Sequence, residues 1–258
     1  MTDKLIVDIQ GHTAQITINN PAANTWDEES LPALQQLIAE LNDNREIYSL
    51  VITGQGEKFF SAGADLNMFA SGDIDVARDL ANKFREAFRA LANFRGVSIA
   101  AINGYAMGGG LECAMACDIR IAEEHAVMAL PEATVGLLPA GLGTQHLPWL
   151  VGEGWAKRMI LCGERVDAAT AEKIGLVEEV VGKGESLQAA LALASKVEGQ
   201  SPTSVTACKG LIQQARGGNI LDAYQVESDA FVDLFSTADQ KEGVNAFLEK
   251  RKPVWKNA

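Results

Sequence analysis

Residues 97–117 read VSIAAINGYAMGGGLECAMAC. Apolar residues run from Val97 to Tyr105 as in a buried strand, the triplet Gly108-Gly109-Gly110 breaks the run, and Leu111 to Cys117 is apolar around a whole helical circumference. A buried strand that turns through glycines into a buried helix predicts a layered α/β domain. Across this stretch the only charged side chain is Glu112.

The pattern extends in both directions. Upstream, Leu5, Val7 and Ile9 alternate, as do Ala14, Ile16 and Ile18, and Gln10-Gly11-His12-Thr13 between them has the composition of a hairpin turn. A helical repeat over Glu28 to Asn42, a buried strand over Tyr48 to Thr53 and an amphipathic helix within Asp75 to Phe94 follow. Downstream come short strands at Ile119 to Ala122 and Ala126 to Leu130, after which the chain reads as mostly helical: Trp155 to Cys162, Ala168 to Ile174, Ser186 to Val197, Pro202 to Gln214, Leu221 to Phe235 and Lys241 to Arg251. Val177 to Val181 is the one strand predicted there. These readings divide the chain into an α/β core, 1–195, and a C-terminal helical region, 196–258, that caps the core or mediates self-association.

With 258 residues, 47% of them hydrophobic, the chain can bury a large core. Its formal charge of −12 disfavours a nucleic-acid partner, because no broad basic surface displaces counterions from phosphates. Glycines, prolines and Asn103 interrupt both long apolar stretches, 97–117 and 126–152, so neither reads as a membrane span. Four scattered cysteines and no leading apolar segment predict reduced thiols in the cytoplasm. Cys113 and Cys117 share a helical face, but without further ligands nearby they read as packing residues and no metal is expected.

Between Ala126 and Gly152 the only formally charged side chain is Glu132. Two carboxylates isolated in apolar segments are expensive to ionise. Desolvation raises their pKa toward neutrality, and two in one pocket can hold opposite protonation states, which suits proton transfer. The blander alternative has each glutamate bonding local backbone amides, Glu112 in the first turn of its helix and Glu132 beside Pro131. The glycine triplet lets backbone approach a ligand at a helix N-terminus, although a tight turn is its commoner use. Gly141-Leu142-Gly143-Thr144 lacks the lysine of a phosphate loop.

Three segments resemble the crotonase superfamily, the enoyl-CoA hydratases and isomerases: Phe60-Ser61-Ala62-Gly63-Ala64-Asp65-Leu66, Asn103 through Glu112, and Leu130-Pro131-Glu132 with Gly136-Leu137-Leu138-Pro139 and Gly143-Thr144-Gln145. The resemblance implies a spiral of ββα turns with a C-terminal helical region, assembled as a trimer or a pair of trimers. It implies that the amides of Ala64 and Gly109 form an oxyanion hole for a thioester carbonyl, with Glu112 activating water and Glu132 delivering a proton to the α-carbon. It further implies CoA contacts at Ala62, Asp65, Leu66 and Gly108, an acyl pocket walled by 69–95, and no cofactor beyond the CoA of the substrate itself.

Two positions depart from the family's pattern. Asn67 stands where many hydratases carry lysine, and Ala140 where glycine is common. The basic tail Lys250-Arg251-Lys252 is a candidate for the CoA phosphates, against the plainer reading of a solvated helix end. Hydration of an enoyl-CoA is the activity expected from two glutamates. Isomerisation, for which Glu132 alone suffices, other crotonase-type lyase or hydrolase reactions, and a non-catalytic CoA-binding scaffold are the alternatives.

Overall fold

The computed structural model describes residues 2–258. Strands β1 (Leu5–Gln10) and β2 (Thr13–Ile18) form the expected hairpin. Helix α1 (Ser30–Asp43) buries Leu31, Leu34, Leu37, Ile38 and Leu41, the residues that its periodicity singled out. Burial of each such side chain contributes about 1.5–3 kcal/mol. β3 (Ser49–Gly54) is buried on both faces, as its unbroken apolar run requires, and is followed by the short β4 (Phe59–Ser61). The Asp73 carboxylate caps α2 (Ile74–Ala92) by accepting from the amides of Asp75 and Val76 at 2.8 and 3.0 Å.

Residues 97–117 form three elements rather than two: β5 (Val97–Ile102), β6 (Tyr105–Met107) and α3 (Gly109–Ala116). The single strand expected from Val97 to Tyr105 is broken at Asn103-Gly104. There the Asn103 amide donates to the carbonyls of Gly54 and Gly56 at 2.9 and 2.7 Å and its oxygen accepts from the Gly54 amide at 3.1 Å. A side chain that satisfies the backbone in this way frees the strand to leave its sheet.

β7 (Ile119–Glu123) and β8 (Val127–Ala129) likewise fall in different sheets. Next come α4 (Gly143–Leu161), β9 (Val166–Asp167), α5 (Ala168–Ile174), β10 (Glu179–Val181) and α6 (Ser186–Val197), and then α7 (Pro202–Gln214), α8 (Ile220–Leu234) and α9 (Ala238–Leu248). α4 starts well before Trp155, where the sequence placed it, and carries Pro148 in its first half. It kinks at Gly152, whose φ is 76°. β9 was not expected, since two residues carry no periodicity, and β10 is shorter than the predicted strand.

Successive ββ units place one strand in each of two sheets. One sheet has six strands in the order β1-β2-β3-β5-β7-β10, parallel apart from the β1–β2 hairpin. The other has the order β4-β6-β8-β9, parallel apart from β8–β9. This is the ββα spiral expected. All eight residues of α3 are buried between the layers, which explains a helix apolar on every side.

α6 packs Ala190 and Ala194 against Val51, Ile99, Ala101 and Ile121 of the large sheet. α7 is tied to the core by Gln213, donating to the Ala92 carbonyl at 2.8 Å, and by the Lys209–Asp118 ion pair at 2.7 Å. α8, by contrast, buries no residue. Among the described residues no helix is long and apolar enough to cross a membrane. Cys113 and Cys117 are buried thiols, and burial pushes Cys117 up to about 12.

Candidate active site

The N-terminus of α3 is set by Gly108, which takes φ 52° and ψ −125°, a conformation open mainly to glycine. Gly110 then lets the helix rest directly on β4, because a Cβ there would lie 2.3 Å from the Ser61 carbonyl oxygen. This contact fixes Glu112, one turn into α3, at the base of a cavity of about 440 Å³.

Glu112 is 3% exposed. Its Oε1 accepts from the amides of Gly141 and Gly143 at 2.8 and 2.7 Å, and its Oε2 has no hydrogen-bond partner among the described residues. Burial pushes its pKa up to about 8, with the charge of Glu132 acting in the same direction and the two amides opposing. The donors stand 29 and 31 residues away in the chain, so they are not the local amides of the blander alternative.

Glu132 opens a short 3₁₀ turn, Glu132–Val135, after β8. Its Oε1 lies 3.0 Å from where a Cβ on Gly108 would stand, and its Oε2 is buried without a partner among the described residues. Desolvation raises this carboxyl to about 7. Both glutamates line the same cavity, and each raises the cost of a second negative charge there.

Two unused backbone donors face this pair's surroundings. Trp26, fully buried, bridges in parallel to Ala64: its amide donates to the Gly63 carbonyl at 2.8 Å and its carbonyl accepts from the Asp65 amide at 2.9 Å. That bridge leaves the Ala64 amide pointing away from Trp26, and it donates to no group among the described residues. The Gly109 amide, first in α3, is likewise free, and a Cβ on Gly63 would lie 3.2 Å from its nitrogen. Ala64 and Gly109 both line the cavity.

Of the expected CoA contacts, Ala62, Leu66 and Gly108 line the cavity and Asp65 does not. The Asp65 carboxylate is taken by Asn67, accepting from its amide at 3.0 Å and its side chain at 2.8 Å. The Asp65 amide is taken by Trp26 and the Ala62 amide by the Ala23 carbonyl. Ala140, the other departure noted in the sequence, lines the cavity. In the basic tail, Arg251 pairs with Glu242 and Glu249.

The family model for enoyl-CoA hydratase/isomerase matches residues 8–258. The chain belongs to that family. Among curated members, the short-chain-enoyl-CoA hydratase of Clostridium acetobutylicum is 38% identical over 97% of this chain and 96% of its own length. The 2,3-dehydroadipyl-CoA hydratase of Escherichia coli is 39% identical over 98% of each. Among solved structures, Pseudomonas aeruginosa DspI is 66% identical with a TM-score of 0.96, over 99% of this chain and 97% of that one. The enoyl-CoA hydratase of Bacillus anthracis is 35% identical with a TM-score of 0.94, over 99% and 100%. Membership of the enoyl-CoA hydratase/isomerase family and the spiral α/β fold therefore stand as the sequence motifs implied.

For this hydratase/isomerase family member, sequence reading missed Gly141 and Gly143 as donors to Glu112, and Trp26 as the residue that orients Ala64. The segment Gly141-Leu142-Gly143-Thr144 lacks the lysine of a phosphate loop and carries part of the family resemblance, but neither feature tells which group its amides serve. Trp26 gave no signal, since its role lies in a single bridge pair.

Proposed function

We propose that this protein adds water across the 2,3 double bond of an enoyl-CoA thioester. One observation carries the reading: two carboxyls raised by burial open on one cavity whose wall also holds the free amides of Ala64 and Gly109. A thioester carbonyl accepting from both amides gains enolate character in the transition state, where preorganised donors count most. Electron withdrawal makes the β-carbon electrophilic.

A water between the glutamates then loses a proton to one carboxylate as its oxygen bonds the β-carbon, and the other carboxyl delivers a proton to the α-carbon. The glutamates exchange protonation states, and a proton returns between them in the next turnover. With the two amides already opposing burial, Glu112 remains the more shifted of the two, so the first charge falls on Glu132. Glu112 is assigned to water and Glu132 to the α-carbon on hydrogen-bond geometry: two amides hold Glu112 Oε1 in place and leave its Oε2 for the water.

No cofactor enters beyond the substrate's own CoA, held along Ala62, Leu66 and Gly108. The same reading puts the protein in the cytoplasm and gives 196–258 the task of building a homotrimer or a pair of trimers. Support for the assembly comes from α8, which buries nothing and exposes Leu221, Tyr224, Phe231 and Val232.

The test uses purified protein and crotonyl-CoA, following loss of the conjugated-thioester absorbance. Glu112→Gln and Glu132→Gln should each slow turnover by about 10²-fold or more. Unchanged turnover in both variants would falsify the two-carboxylate mechanism.

A further inference from the structure

One wall of the cavity is a single row on α2: Phe84, Ala81 and Ala77. The three stand at helical spacing, so they share a face. Phe84 marks the reacting end, since its Cε1 lies 3.0 Å from where a Cβ on Gly109 would stand and it is almost fully buried. From there the row runs outward by about 1.5 Å per residue, which puts Ala81 about 4.5 Å and Ala77 about 10.5 Å from Phe84 along the axis. Burial falls in the same order: Phe84 buried, Ala81 half-buried, Ala77 exposed. The cavity is also lined by Val135, Leu137 and Leu138, apolar side chains that remain 53%, 39% and 66% exposed.

We propose that Ala81 and Ala77 set the length of acyl chain this site accepts, Ala81 acting nearer the thioester and Ala77 farther out, with an uncharged aliphatic tail lying against them and against Val135, Leu137 and Leu138. The inference rests on the reading that the cavity holds an acyl-CoA. Its chemical class follows from the lining, where among the described residues no lysine, arginine or histidine stands to pair with a carboxylate at the end of an acyl chain. Its length dependence follows from the two methyl side chains. Elsewhere on this face α2 carries Phe84, and a side chain of that size at either alanine would fill the channel at that depth.

The experiment measures binding of saturated butyryl-, hexanoyl- and octanoyl-CoA by calorimetry to the full-length protein, alongside turnover of the matching trans-2-enoyl series. Binding reads the channel whether or not the protein hydrates anything, so loss of the hydration reading and loss of this one are separable. The wild type should bind octanoyl-CoA at least about tenfold more tightly than butyryl-CoA, because added methylenes become buried. Ala81→Phe should reduce the octanoyl-to-butyryl ratio to near one. Ala77→Phe should preserve the gain from butyryl to hexanoyl and abolish that from hexanoyl to octanoyl. Leucine at each position, with circular dichroism to verify folding, should give smaller changes in the same order. Wild-type ratios in both phenylalanine variants, equal weakening of all three ligands, or no preference for longer chains in the wild type would each overturn the proposal; equal weakening would assign the row to the CoA arm.

Discussion

The Gly143 amide donates to Glu112 Oε1 at 2.7 Å across 31 residues of chain, and with the Gly141 amide it forms a two-donor cradle around one carboxylate oxygen. Between the two donors stands Leu142, held at φ 79° and ψ 2°, a left-handed conformation that costs a non-glycine residue about 1–2 kcal/mol. Its side chain packs against the core, which offsets that cost. The turn aims both amides at one atom.

Gly143→Ala should therefore disable the site. The added Cβ would lie 2.7 Å from Glu112 Oε1 and 2.8 Å from the Pro139 Cβ, so the carboxylate must move. Turnover of crotonyl-CoA is expected to fall by about 10²-fold or more, the scale for a displaced base. Activity within twofold of wild type would show that the cradle is dispensable.

Gly108→Ala acts on the other carboxylate. It combines a positive φ with a Cβ placed 3.0 Å from Glu132 Oε1. A loss of about tenfold or more in kcat is expected, together with a lowered Tm from the strained backbone, about 1 kcal/mol or more. A variant with unaltered kcat and Tm would refute both halves.

Stability should respond to pH through the two glutamates. Their folded pKa values, about 8 and about 7, lie above the ordinary 4.5, so between those limits the folded state binds more protons than the unfolded state. Stability is then highest at low pH within this window and declines as pH rises from about 4.5 toward about 8. Glu112→Gln keeps an oxygen for the two amides and removes the buried charge. It should raise the denaturation midpoint at pH 8 by more than at pH 5, where the wild-type carboxyl is already protonated. An equal shift at both values would remove this account.

Arg120 supports α3 from behind. It is 2% exposed, donates to the carbonyls of Cys117 and Leu176 at 2.8 Å each, and pairs with Glu178. Arg120→Ala strips a donor from the Cys117 carbonyl, at the C-terminal end of the helix that carries Glu112, and from the Leu176 carbonyl just after α5. A loss of about 1–3 kcal/mol for each carbonyl left without a donor is expected in urea-denaturation stability. A cost under about 1 kcal/mol would mean that water replaces the guanidinium there.

Assembly should depend on α8. Phe231→Asp places a charge on a helix face that the single chain leaves open, with Phe231 64% exposed. Light scattering should report a smaller species than wild type, with circular dichroism unchanged. The same mass for both proteins would exclude this face from the interface.

Much of the fold was legible because burial leaves a local imprint. α1, α2 and α6 repeat their apolar residues at helical spacing, and β3 is apolar throughout because both its faces are covered. Elements too short to show a period escaped: β4 and β9 have three and two residues. The first half of α4 was masked by its glycines and Pro148, and the break between β5 and β6 by one apolar run that serves two sheets.

The sequence by itself determined that two acids sit alone in apolar segments, which fixes their cost of ionisation, and its motifs identified the family. Only the tertiary structure decided that Gly141 and Gly143 hold Glu112, that Trp26 orients the Ala64 amide, and that Asp65 serves Asn67 rather than the cavity. Those facts are backbone directions set by contacts between segments far apart in the chain. Composition and spacing carry no record of where an amide points.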